Sequence, residues 1–120
     1  MKKIIITGGL GYIGMELSKI YSGKSNHCDI TVIDNAFYSD RVSQLKRWGI
    51  KFQQIDITNK TQLSAALDGA DIVYHLAGIT NVGTTIKDRN VTRDRKVKNV
   101  GVEGTRNIIN LSPERIFLAK

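Results

Sequence analysis

The sequence predicts an α/β fold, a doubly wound parallel sheet of about five strands in the order 3-2-1-4-5. Three observations carry that prediction. Short β-branched runs alternate with stretches of helical periodicity along the 120 residues. The first run, Ile4 to Thr7, ends at a cluster of glycines that opens into a helix. The second run ends in a carboxylate, Asp34, twenty positions after Gly14.

Ile4 to Thr7 has the length and composition of a strand buried on both faces. From Tyr12 the apolar spacing turns helical, with Ile13, Leu17 and Ile20 expected on the packing face. Between them two glycine spacings overlap. Gly9, Gly11 and Gly14 fit G-x-G-x-x-G, and Gly8, Gly11 and Gly14 fit G-x-x-G-x-x-G. Either pattern lets the chain reverse tightly and lets a diphosphate approach bare backbone at the positive end of a helix. An ordinary glycine-rich strand–helix turn would carry the same residues without a ligand.

Asp29 to Asp34 reads as the second strand. A carboxylate at its end accepts the adenosine-ribose hydroxyls of a dinucleotide and repels a 2′-phosphate, which favours NAD over NADP. The plain alternative is a solvated aspartate. Arg41 would soften the preference if it turned back toward the site. Ser39 or Asp40 is expected to cap a helix through Val42, Leu45 and Trp48, which Gly49 stops. Lys51 to Ile55 forms the third strand, followed by Asp56-Ile57. Asn59 with Gln62 makes a capping box for a helix through Leu63, Ala66 and Leu67, ended by Gly69. Asp71 to Leu76 is the fourth strand, followed by Ala77-Gly78, small residues past which a ligand can reach backbone. A loop to about residue 90 leads into a long helix to about residue 111, packing through Val97, Val100, Gly101, Gly104 and Ile108. Pro113 closes it, and Arg115 to Ala119 is the fifth strand.

Composition narrows the class further. A hydrophobic content of 41% with one proline describes a globular chain without linker or low-complexity segments. The single cysteine, Cys28, excludes an intrachain disulfide and suits a reducing cytoplasm. Met1 to Ile6 resembles the start of a signal peptide, but the run breaks at Thr7-Gly8-Gly9 and reads better as strand. No run has the length to span a membrane. Much of the net charge of +7 falls on Lys87, Arg89, Arg93, Arg95, Lys96 and Lys98. That segment is either a solvated helix approach, the preferred reading, or a funnel for a phosphorylated substrate or nucleic acid. Aromatics are not interleaved with it, which disfavours nucleic acid. No cluster of metal-ligating residues stands out.

Thr7-Gly8-Gly9-Leu10-Gly11-Tyr12-Ile13-Gly14 resembles the cofactor fingerprint of the extended short-chain dehydrogenase/reductases, the NAD-dependent epimerase/dehydratase family acting on nucleotide sugars. Val32-Ile33-Asp34-Asn35, Asp56-Ile57-Thr58, His75-Leu76-Ala77-Gly78 and Gly104-Thr105-Arg106-Asn107 extend the resemblance, in the same order, over the whole chain. It implies a Rossmann-type sheet with NAD as cofactor. Gly8, Gly11, Tyr12, Ile13 and Gly14 would line the pyrophosphate, and Asp34 and Asn35 would hold the adenosine ribose. Asp56 and Ile57 would flank adenine, and Leu76, Ala77 and Gly78 would pass under the central part of the cofactor. His75 would be a packing residue.

Two departures accompany the match. Where the family's long helix carries asparagine three residues before Gly-Thr, this chain has Gly101. The family's proton-transferring tyrosine has a lysine four residues on. Here the positions four beyond Tyr12, Tyr21, Tyr38 and Tyr74 are Glu16, Ser25, Val42 and Gly78. No catalytic residue is therefore assigned. Residues 1–120 read as the N-terminal portion of an NAD-binding domain, truncated before the catalytic pair and the substrate domain. A nucleotide-sugar substrate is expected only with that missing part. The alternatives are a stand-alone NAD-binding or redox-sensing module and a basic interaction domain on the same scaffold. The fifth-strand edge or the long helix would be the surface for self-association.

Overall fold

Three isoleucines in succession, Ile4, Ile5 and Ile6, place the first strand at the centre of the molecule, because each is at most 1% exposed and they alternate between two cores. The computed structural model describes residues 1–24, 27–76, 104, 106–108 and 115–118. In chain order these form β1 (Lys2–Thr7), α1 (Tyr12–Tyr21), a short 3-10 turn (Ser22–Lys24), β2 (Cys28–Asp34), α2 (Ser39–Arg47), β3 (Lys51–Gln54), α3 (Lys60–Leu67), β4 (Ile72–His75) and β5 (Arg115–Leu118). The strands make one parallel sheet in the order β3-β2-β1-β4-β5, as the sequence predicts.

One core joins Ile4, Ile6, Ile30 and Val32 of the sheet to Leu10, Val42, Leu45 and Ile50. The other joins Ile5, Ile33 and Val73 to Leu63, Ala66 and Leu67 of α3 and to Ile108. Burying each such aliphatic side chain contributes about 1.5–3 kcal/mol before entropy is counted. Gly49 and Gly69, with φ of +75° and +74°, stand where the sequence places the ends of the second and third helices. Asn59 caps α3 as expected, its side-chain oxygen accepting the Gln62 N–H at 3.1 Å.

Two expectations are corrected. Ile13 and Ile20 do not lie on the packing face of α1, being 61% and 66% exposed. Gly14 and Ser18 are buried instead. The close approach of Gly14 to Gly9 rotates small residues toward the sheet, leaving the two isoleucines outward. The cap of α2 also differs. The helix begins at Ser39 itself, with Tyr38 at the N-cap and no side-chain capping bond. Of the predicted long helix, residues 106–108 are helical, and Val97, Val100 and Gly101 lie outside the described residues. Among the described residues no helix is long and apolar enough to cross a membrane.

Candidate dinucleotide site

The carboxyl end of β1 is where the chain changes direction across the sheet, with β2 on one side and β4 on the other. Ligands of open parallel sheets bind above such a point. Thr7 closes β1 there and ties it to β4: its carbonyl accepts the Leu76 N–H at 3.0 Å, and its hydroxyl shares a 2.7 Å hydrogen bond with His75 Nδ1. His75 is 4% exposed, and burial lowers its pKa below the ordinary 6.5, so the ring is held neutral. Its place is that of a packing and seam residue.

The turn that follows is fixed from several sides. Gly8 adopts φ +67° and donates its N–H to the Ile33 carbonyl at 2.8 Å. Only glycine enters that left-handed region without strain. A β-carbon on Gly9 would overlap the Val32 side chain, and one on Gly14 would lie 2.7 Å from the Gly9 carbonyl carbon. These two glycines serve close helix–strand packing. Gly11 is different. A β-carbon there would meet only the Gly8 carbonyl, at 3.3 Å, so its outer face is open.

Gly11 is also the N-cap of α1, with no side-chain capping bond and no acidic residue in the first turn. Tyr12, at 84% exposure, and Ile13 follow it at the surface. The first N–H groups of a helix lack intrahelical partners, and the dipole makes them favourable to an anion. Open backbone at Gly11 beside an uncapped helix start fits a diphosphate.

Asp34, at the end of β2, faces this turn. Its Oδ2 accepts the Leu10 N–H at 3.1 Å and its Oδ1 accepts the Ala36 N–H at 3.0 Å. A carboxylate retains further acceptor capacity on each oxygen, so ribose hydroxyls can still be met. The carboxylate thus arrives pre-oriented, which spacing alone does not reveal. Asn35 is exposed, its carbonyl accepting from Gln54 Nε2 at 3.1 Å. Phe37, more than half exposed, packs edge-on against Phe52 at 6.0 Å between ring centres on the same rim.

On the far side of β2, Asp56 Oδ1 accepts both the Thr58 N–H at 2.9 Å and the Thr58 hydroxyl at 2.7 Å. Ile57 is buried at 5%, so its side chain is core and its backbone is what can border a base. A residue of the Gly104-Thr105-Arg106-Asn107 segment, to which the sequence assigned no role of its own, holds this turn. Asn107, 2% exposed, donates from Nδ2 to the Ile57 carbonyl at 3.0 Å. Gly104 sits against the same isoleucine, since a β-carbon there would lie 2.6 Å from Ile57 Cγ1. The signal was the Gly104…Asn107 spacing, which puts both on one helix face. Leu76 is partly buried beside Thr7, whereas Ala77 and Gly78 lie outside the described residues.

Tyr21 and Tyr74 share a 2.7 Å hydrogen bond, and burial pushes the Tyr21 phenol above its usual range. Among the described residues no three His, Cys, Asp or Glu side chains gather as metal ligands.

Residues 5–115 match the 3-beta hydroxysteroid dehydrogenase/isomerase family. The UDP-glucose 4-epimerase of Mycoplasma genitalium is 27% identical over 98% of this chain and 35% of its own length. The dTDP-D-glucose 4,6-dehydratase of Dictyostelium discoideum is 32% identical over 72% of this chain and 21% of its own. This chain therefore spans about a third or less of the curated relatives it matches. Among solved structures, the UDP-glucose 4-epimerase of Bifidobacterium longum in complex with NAD+ and UDP superposes with a TM-score of 0.79 at 15% identity. It covers 99% of this chain and 37% of that one.

Proposed function

Because the chain belongs to the 3-beta hydroxysteroid dehydrogenase/isomerase family, within the extended short-chain dehydrogenase/reductases, we propose that it is the NAD-binding portion of a nucleotide-sugar epimerase or dehydratase. One observation carries the cofactor reading: Gly11, where a β-carbon would meet only the Gly8 carbonyl, caps a helix start that has no side-chain capping bond. The diphosphate rests on the backbone of Gly8 and of Gly11 to Gly14, and Asp34 with Asn35 takes the adenosine ribose. The turn at Asp56-Ile57, held by Asn107, borders adenine, with Leu76, Ala77 and Gly78 beneath the middle of the cofactor. NAD, when bound, supplies reversible hydride acceptance at a sugar carbon. The part played by these residues is to orient the dinucleotide and to exclude a 2′-phosphate. The nucleotide-sugar assignment is supported by the two relatives' own activities.

Calorimetric titration of the 120-residue chain tests the reading. NAD binds more tightly than NADP, and Asp34→Ala narrows the difference. Equal or reversed affinities in the native chain would sink the role given to Asp34, and no binding of either would sink the whole reading. Residues 1–120 alone convert no UDP- or dTDP-sugar, because no tyrosine has a lysine four positions on. A chain that binds NAD yet gains no turnover with any C-terminal extension is the stand-alone module instead.

A further inference from the structure

Leu10 is the one non-glycine residue in the middle of the turn, and its side chain is fully buried. Its backbone is gripped on both sides. The N–H donates to Asp34 Oδ2 at 3.1 Å, and the carbonyl accepts from Arg41 Nη1 at 2.6 Å. The Arg41 guanidinium also lies over the Tyr38 ring, 4.8 Å from its centre. Tyr38 is the N-cap of α2, its carbonyl accepting the Val42 N–H at 2.9 Å. The Leu10 carbonyl belongs to the same peptide plane as the Gly11 N–H, which itself donates to the Gly8 carbonyl at 3.1 Å. Both ends of that plane are therefore fixed, one from within the turn and one by an arginine thirty-one positions away.

We infer that Arg41 is a positioning residue of the dinucleotide site: from the first turn of α2 it holds the Leu10–Gly11 peptide so that the open backbone at Gly11 faces the diphosphate. The inference rests on the cofactor reading above. A charged donor strengthens a bond to a neutral carbonyl, and a flat guanidinium supported on a ring loses less freedom in making it. Asp34 and Arg41 then act as two halves of one bracket, the carboxylate on the Leu10 N–H and the guanidinium on its carbonyl. The arginine acts through the backbone and not on the cofactor.

The test titrates the 120-residue chain and two variants, Arg41→Met and Arg41→Lys, with NAD, NADP, ADP and adenosine. Losing one net hydrogen bond weakens binding about five-fold. Arg41→Met is expected to lose that factor for NAD, NADP and ADP alike and to leave adenosine, which has no phosphate, unchanged. Arg41→Lys recovers part of the loss, since an ammonium still donates to the Leu10 carbonyl. A defect of general stability would instead lower adenosine affinity as well, and that result overturns the inference. So does a loss confined to NADP, which would make Arg41 a 2′-phosphate ligand. If Arg41→Met does not fold, Tyr38→Leu removes only the ring support and is expected to weaken NAD and ADP about two-fold with adenosine unchanged. Unchanged NAD and ADP affinity in that variant overturns the inference too. A native chain that binds no NAD overturns the cofactor reading and this inference together. A native chain that binds NAD while Arg41→Met binds it equally well overturns this inference alone.

Discussion

Gly8, Gly9, Gly11 and Gly14 stand within one turn, yet each answers a different physical demand. Gly8 supplies a left-handed backbone, Gly9 lets the turn lie against Val32 of β2, Gly14 lets α1 lie against Gly9, and Gly11 leaves room on the outside. Substitution by alanine separates these tasks. At Gly11 the backbone, with φ −72°, suits any residue and only the Gly8 carbonyl must give way. Gly11→Ala should keep its thermal stability within about 1 kcal/mol while NAD affinity falls by about ten-fold or more. At Gly14 the new atom meets backbone, so overpacking should cost about 1–3 kcal/mol of stability. Circular dichroism melts beside calorimetry give both numbers. Unchanged NAD affinity in Gly11→Ala would show that the open face of Gly11 is not where the ligand sits.

At the scale of elements, the seam between β1 and β4 carries a titratable group beneath the site. His75 is bound to Thr7 and kept neutral by burial, so its folded pKa lies below the unfolded 6.5. Above 6.5 both states hold the ring neutral, and His75 adds no pH dependence. As pH falls through and below that value the unfolded chain takes up a proton that the folded chain refuses. Stability is therefore full above the unfolded pKa and declines as pH drops through the folded one. Urea unfolding from pH 7.5 to 5 should show this decline in the native chain and a flatter profile in His75→Gln. Parallel profiles would mean that the ring is not titrating in this seam. The adenine-side turn depends on a comparable long-range contact, Asn107 to Ile57, which joins residues fifty positions apart.

For the whole molecule, the two ends of the sheet are unlike. β3 ends one side with Lys51, Phe52, Gln53 and Gln54, an edge whose lysine and glutamines discourage pairing. β5 ends the other side, paired only with β4 among the described residues, and its sequence runs Arg115-Ile116-Phe117-Leu118. The unpaired backbone groups of an apolar edge strand are a template on which another chain can pair. Light scattering of the 120-residue chain should show apparent mass rising with concentration, and Phe117→Lys should suppress the rise. A constant monomer mass at high concentration would show that this edge is protected.

Sequence by itself determined the order of the described elements and of the sheet strands, and it named the turn proposed as the site. Each follows from short-range signals: β-branched runs, glycine stops, the Asn59 cap, and the interval from Gly14 to Asp34. Which glycine does which task, which face of α1 turns inward, and what holds the turn open were decided by tertiary structure. Ile13 and Ile20 show why. Their spacing suited a buried stripe, but the backbone contact between Gly9 and Gly14 outweighed it and set the rotation of the helix. Asn107 and Arg41 show the same for polar groups. Each binds a carbonyl far away along the chain, at Ile57 and Leu10, and a carbonyl leaves no mark in the sequence of side chains.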